Sequence, residues 1–192
     1  MDREKDIEFS IIWLNYDPDS INVEMSEKSK ESILAHAKGS YEFIEVKDVK
    51  GFVHAVNQGL NQAKGKWLIV VANDVVIEDP DWLSKFKVEN ALIGWRFITF
   101  FLTGEERPDF ACWGLSKETF EKLGPMDVRF AEGYGFDDDD YVYRARDLGI
   151  KLHDAQVKLH HLECKTYNTV FKDLKQDMTE RNQRLFIEKW KI

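Results

Sequence analysis

An α/β architecture with a mostly parallel central sheet flanked by helices follows from three observations on this chain. Extended segments rich in β-branched and aromatic residues alternate with segments whose apolar residues recur at helical spacing. Lys66–Ala72 (Lys-Trp-Leu-Ile-Val-Val-Ala) is continuously apolar, as a strand covered on both faces must be. Turn-forming strings, such as Asn15-Tyr16-Asp17-Pro18-Asp19-Ser20, close the extended segments where a crossover has to begin.

The elements are read in chain order. Ile7–Leu14 is a strand that ends in the polar string at Asn15. A helical pattern begins at Ser26, continues through Ile33, Leu34 and Ala37, and stops at Gly39; Tyr41–Val46 is the next strand. Gly51–Ala63 carries Val53, Val56, Leu60 and Ala63 at helical spacing and leads into the apolar strand at Lys66. Strand, helix, strand, helix, strand is the order that builds a parallel sheet. Pro80-Asp81-Trp82-Leu83 starts a short helix. Ala91–Leu102, an apolar stretch interrupted by Arg96, is expected to be buried strand, as is Phe110–Leu115. Lys117–Leu123 is a helix closed by Gly124-Pro125. Tyr141, Ala145 and Leu148 share the face of a further helix with Gly149 as its stop, and a charged amphipathic helix from about 169 to 190 turns Leu174, Met178 and Leu185 inward.

Length and composition narrow the class. A chain of 192 residues is expected to form one domain, and 43% hydrophobic with 13% aromatic residues excludes a disordered chain. The net charge of −8 argues against a nucleic-acid partner, because a phosphate backbone needs a basic surface. An anionic small ligand would need a local device, such as a bound cation. Cys112 and Cys164 allow one disulfide and show no metal-ligand spacing, so both are read as structural. With no secretory pattern at Met1 and no apolar run long enough for a transmembrane segment, the expected setting is cytoplasmic.

Two places carry chemistry. The apolar strand ends at Ala72-Asn73-Asp74, and in open parallel sheets ligands bind beyond the carboxyl ends of strands. A carboxylate at Asp74 can hold a divalent cation that bridges two phosphates. The run Asp137-Asp138-Asp139-Asp140 precedes a helical pattern; mutual repulsion raises at least one carboxyl pKa there, which suits a general base. His160 and His161 lie in a late extended segment, where alternation lets one of them face a site.

Gly51-Phe52-Val53-His54-Ala55-Val56-Asn57-Gln58-Gly59, followed by Ala63 and Gly65, resembles the Gly-Phe-x-x-Ala-x-Asn-x-Gly segment of family-two glycosyltransferases, which have the GT-A fold with a Rossmann-like nucleotide-binding half. Asn73-Asp74-Val75 and Asp79-Pro80-Asp81-Trp82-Leu83 are similar to that family's metal-binding strand end and its downstream Pro-x-Trp-Leu. Gly124-Pro125-Met126-Asp127-Val128-Arg129-Phe130 resembles Gly-x-Phe-Asp-x-x-Phe, and Asp137–Arg144 resembles Glu-Asp-x-Asp-Leu-x-x-Arg. Val157–His161 is similar to the late strand bearing a histidine, so the resemblance runs from about Phe9 to about Thr166. Two positions depart from the pattern: Ala72 stands for the first acid of the metal motif, and Asp137 for Glu.

The resemblance implies an inverting, metal-dependent enzyme that moves a sugar from a nucleotide-diphosphate donor, a UDP-sugar first among them, to a hydroxyl of a glycan or other acceptor. It implies Asp74, with His160 or His161, as ligands of Mn2+ or Mg2+. It implies Asn15, Tyr16, Asp17, Asn57, Asn73 and Asp74 around the donor, and Trp113 and Gly114 toward the acceptor. Asp138, beside Asp137, matches the general base, and Asp139 a variable position expected to face water. The alternative is a catalytically silent GT-A-like domain that binds nucleotide or glycan, for which Ala72 speaks.

Overall fold

The computed structural model describes residues 6–17, 19–162 and 175–192. Pro18, Cys164, Leu174 and the expected start of the last helix near 169 lie outside them. The chain runs through β1 (Phe9–Asn15), α1 (Val23–His36), β2 (Tyr41–Lys47), α2 (Phe52–Gln62), β3 (Trp67–Ala72) and β4 (Val75–Ile77). A 3-10 turn (Trp82–Phe86) then leads to β5 (Ala91–Gly94), β6 (Phe97–Thr99), β7 (Glu106–Pro108), β8 (Cys112–Ser116) and α3 (Lys117–Leu123). After a second 3-10 turn (Val128–Phe130) come α4 (Asp137–Asp147), β9 (Lys151–Asp154), β10 (Leu159–His161) and α5 (Lys175–Trp190).

Six strands form the central sheet in the order β2-β1-β3-β8-β5-β9. β1 pairs in parallel with β2 and β3, and β5 with β9, whereas β8 runs antiparallel to β3 and β5. Period-two alternation sends side chains to both faces. Phe9, Ile11, Trp13, Ile69 and Val71 enter one apolar layer; Ile12, Leu14, Leu68, Val70 and Trp113 enter the other. No described helix is long and apolar enough to cross a membrane.

Three expectations are corrected by packing. Ala91–Leu102 is not one strand: Ala91–Gly94 lies in the central sheet, and Phe97–Thr99 pairs with β7 in a separate two-stranded ribbon. The chain turns where Gly94 meets Pro108, since a Cβ on Gly94 would stand 2.7 Å from the proline Cβ, and Phe101 beyond the bend is exposed. Helix α1 buries Ser26, Ser29 and Ile33 while Leu34 is exposed, because its inner face is held by hydrogen bonds. Ser29 Oγ accepts from the Trp13 indole (3.2 Å), Ser26 Oγ from Asn73 (3.1 Å) and Ser32 Oγ from the Ile77 amide (2.9 Å). In α4, Tyr141 and Ala145 are buried as expected, but Leu148 is exposed, since it caps the helix ahead of Gly149 at φ 65°.

Helix α5 docks through Asn182 and Phe186, both fully buried, with Met178 and Leu185 only partly covered. The Asn182 amide donates to the carbonyls of Phe130 (3.0 Å) and Gly135 (2.8 Å), and accepts from Arg181 (2.8 Å). Gly133 lets this amide approach, for a Cβ there would stand 1.9 Å from Asn182 Oδ1. Gly133→Ala should therefore destabilise the protein by about 1–3 kcal/mol through overpacking, read as a lower urea midpoint. An unchanged midpoint would mean that α5 does not dock on this loop.

Candidate functional site

The first part of the site lies beyond the carboxyl ends of β1 and β2. A cavity of about 410 Å³ opens there, lined by Trp13, Asn15, Asp17, Lys30, Glu45 and Asp48 among others. Several of its polar groups have defined neighbours. The Asn15 amide donates to Glu45 (3.1 Å), and Lys30 pairs with Glu45 (2.7 Å) while lying 5.4 Å from the Trp13 ring centroid. Burial opposes the Glu45 charge, but the hydrogen bonds from Lys30 and Asn15 outweigh it and hold the carboxyl below its ordinary value. Asp17 accepts from the amides of Ile21 (3.0 Å) and Asn22 (2.8 Å), which closes the loop onto the start of α1. Asp48, at φ 52°, accepts from the Asp17 amide (3.2 Å), and Tyr16, between Asn15 and Asp17, is half-buried. Lys30, Glu45 and Asp48 were not singled out by the sequence, because β2 and α1 meet β1 only in the fold.

The second part is the turn between β3 and β4. Asn73 and Asp74 are both buried, and the Asn73 amide reaches Ser26 (3.1 Å) and Asn15 (3.4 Å), tying this turn to the first cavity. β10 pairs antiparallel with β4, setting His161 opposite Val75 and His160 opposite Val76. His161 Nε2 is thereby 3.5 Å from Asp74 Oδ1, whereas His160 is exposed on the alternate face. Burial disfavours the imidazolium of His161, but the hydrogen bond and charge of Asp74, helped by Asp109, outweigh it and raise its pKa. One carboxylate beside one imidazole is a donor set that suits a divalent cation. Among the described residues no group of three or more His, Cys, Asp or Glu gathers around a metal position. The pair thus fits a cation shared with ligand oxygens rather than one held by protein alone. Ala72, where the resembled motif has its first acid, ends β3 half-buried.

The third part is the acid run, and its four members differ in environment. Phe136, at φ 64°, delivers the chain into α4, whose first turn is Asp137–Asp140. Asp140 is buried against α5: its carboxylate meets Lys189 Nζ (2.6 Å) and the Trp190 indole (2.9 Å), with Arg144 at 3.6 Å. Lys189 also reaches Asp127 (2.9 Å), whose carboxyl is held well below its ordinary value by Arg129 and then by Lys189, against the effect of burial. Asp139, expected to face water, is 3% exposed and ion-paired with Arg107. The reason is helical: the third acid of the turn points back under the β6–β7 ribbon. The same guanidinium binds Asp138 Oδ2 at 2.8 Å, while Asp138 Oδ1 accepts from the Asp139 amide (3.0 Å). Desolvation first and the Asp138 charge second raise the carboxyl pKa values of both Asp137 and Asp139, and nearby Arg107 opposes this. Burial also works against the Arg107 charge, and Asp138, Asp139 and Asp109 outweigh it. No pattern in Glu105-Glu106-Arg107-Pro108-Asp109 marks this arginine in advance.

The remaining candidates are engaged within the fold. Both ends of the Asn57 amide are taken by Met126, donating to its carbonyl (2.9 Å) and accepting from its amide (2.8 Å), so this residue fastens α2 to the loop after α3. Trp113 and Gly114 lie inside β8 and are wholly covered. Trp113 stacks on Phe110 with centroids 4.5 Å apart and meets Tyr141 edge-on, which supports α4 from behind rather than offering an acceptor contact.

No protein-family model matches this chain, and no curated protein sequence matches it. Solved structures do. The catalytic domain of Drosophila beta1,4-galactosyltransferase 7, in complex with xylobiose, superposes with a TM-score of 0.67 at 13% identity, covering 85% of this chain and 74% of that one. The fold is of the GT-A type. GalNAc-T7 with UDP, GalNAc and Mn2+ matches with a TM-score of 0.61 at 12% identity, over 83% of this chain and 44% of that one. The mannosyltransferase PcManGT from Pyrobaculum calidifontis, with GDP-Man and Mn2+, matches at 0.56 and 12% identity, over 79% of this GT-A chain and 55% of that one. At such identities the likeness is one of fold.

The raised Asp137 carboxyl has a consequence for stability. The folded state binds that proton more tightly than the unfolded one, so its contribution is present below the ordinary carboxylate pKa and is lost as pH rises through the raised value. Asp137→Asn mimics the protonated form, and its stability relative to the parent should increase between about pH 4 and about pH 8. Parallel denaturation curves at the two pH values check this, and a difference independent of pH would contradict the desolvated setting.

Proposed function

We propose that the chain is an inverting, metal-dependent glycosyltransferase that moves a sugar from a nucleotide-diphosphate donor, a UDP-sugar first among them, to a hydroxyl of a glycan acceptor. The observation that carries the reading is the buried Asp74 at the carboxyl end of β3 with His161 3.5 Å away. It follows Asn73, whose amide reaches Asn15 at the β1–β2 cavity, on a fold whose solved relatives are glycosyltransferases, several solved with Mn2+ and nucleotide ligands. In this reading Asn15, Tyr16, Asp17 and Asn73 border the nucleotide, and Asp74 with His161 would hold Mn2+ or Mg2+.

The bound cation would supply charge neutralisation for the leaving diphosphate. The chain's own groups do the rest. Asp138, partly exposed, accepts the proton of the acceptor hydroxyl as that oxygen attacks the anomeric carbon; the bond to the diphosphate oxygen breaks, and the configuration inverts in a single displacement. Asp137 flanks the base on the first turn of α4, and the buried aromatic layer of Phe110, Trp113 and Tyr141 holds the helix start in place.

A second reading, a silent GT-A domain that binds nucleotide or glycan, is favoured by Ala72 and by the ion pair that engages Asp138. A panel of UDP- and GDP-sugars incubated with Mn2+ and saccharide acceptors separates the two. The transferase reading expects consumption of one donor, and Asp138→Asn should lower turnover by roughly two to four orders of magnitude with donor affinity nearly unchanged. Donor binding without turnover by the parent would favour the silent domain.

A further inference from the structure

The acid run presents an unequal use of cations. Asp139 and Asp140 are buried, and a buried carboxylate requires a partner: Arg107 serves the first, Lys189 and Trp190 the second. Asp138 has no such need. Its side chain is 21% exposed and reaches water, yet Arg107 turns a second nitrogen to it at 2.8 Å. The guanidinium spans two carboxylates that are adjacent in sequence, which a planar fork can do and an ammonium cannot do with the same geometry.

Arg107 is itself held for this purpose. It belongs to β7, in a ribbon that is not part of the central sheet, and donates to the Pro108 carbonyl (3.0 Å). The ribbon is pinned to α4 a second time, where Arg146 pairs with Glu105 and donates to the Glu106 carbonyl (3.1 Å). Arg107 is only 11% exposed in its side chain, so its direction is fixed by packing. The groups that face Asp138 from the elements around it are Asp137 and Asp139 on α4 and Arg107 on β7, with Asp109 acting on Arg107 from the loop beyond.

We infer that Arg107 is a positioning residue for glycosyl transfer: by bridging Asp138 and Asp139 it fixes the orientation of the Asp138 carboxylate that receives the acceptor proton. The inference rests on the transferase reading and adds to it a residue from outside the acid run. Loss of the bridge leaves the Asp138 carboxylate without the cation that fixes its direction. A carboxylate misplaced by about 1 Å costs on the order of a hundredfold in rate.

The test compares Arg107→Gln and Arg107→Lys with the parent in two measurements. Carboxyl-detected NMR of 13C-aspartate-labelled protein follows the acid run through a pH titration without any substrate. The Asp139 midpoint should rise by about one unit or more in Arg107→Gln and by less in Arg107→Lys. With the nucleotide sugar that the parent consumes, kcat should fall roughly a hundredfold in Arg107→Gln with donor KM nearly unchanged, and Arg107→Lys should recover part of the loss. Unmoved midpoints overturn the inference, and so does parental kcat in Arg107→Gln. If the parent consumes no nucleotide sugar, the transferase reading fails and takes the inference with it; if the parent is active and the variants match it, only the inference fails.

Discussion

Four adjacent carboxylates begin α4 with two of them, Asp139 and Asp140, buried, and that burial depends on cations brought to the helix start. A run of this kind repels itself and is solvated in isolation. The helix N-terminus offsets part of the cost through its unpaired amides. The remainder is met by cations brought from distant sequence: Arg107 from the β6–β7 ribbon and Lys189 from the last helix. Neither is close to the run in the chain. The fold brings both to the start of α4, Arg107 on the β6–β7 ribbon and Lys189 on α5.

The same arrangement separates support from chemistry. Asp140 and Asp139 are committed to ion pairs below the surface, while the aromatic side chains Phe100, Phe136, Tyr143, Phe186 and Trp190 pack on one another and Trp190 donates to Asp140. Asp138 remains on the accessible side of the turn with one ordered cation. Asn73 connects the β3 turn, which also carries Asp74, to Asn15 and to Ser26 of α1, both of which line the cavity. A nucleotide bound across these parts would be gripped by groups that already have fixed directions.

The sequence made the parallel half of the sheet legible, because β1, α2 and β3 owe their form to local periodicity and to burial on both faces. It also located Asp74 and the acid run, since strand-end acids and a run of like charges are visible without coordinates. What it could not yield are properties created by contact between distant segments. The bend after Gly94 depends on Pro108, the exposure of Leu34 on serine hydrogen bonds to Trp13 and Asn73, and the burial of Asp139 on Arg107. Trp113 was readable as a site residue only from its place in the chain, and packing against Phe110 and Tyr141 turned it into the core. The choice between His160 and His161 waited on the β4–β10 register.

In the proposed function, Asp74 and His161 mark a place where a divalent cation and a nucleoside diphosphate bind together. Calorimetric titration of UDP and GDP into the protein, with Mn2+ and then with excess EDTA, tests it most directly, with Asp74→Asn as the control. A chain of net charge −8 should repel a bare diphosphate, so binding is expected only with the metal and should weaken in the variant. Equal affinity with and without metal, or binding untouched by Asp74→Asn, would contradict the claim.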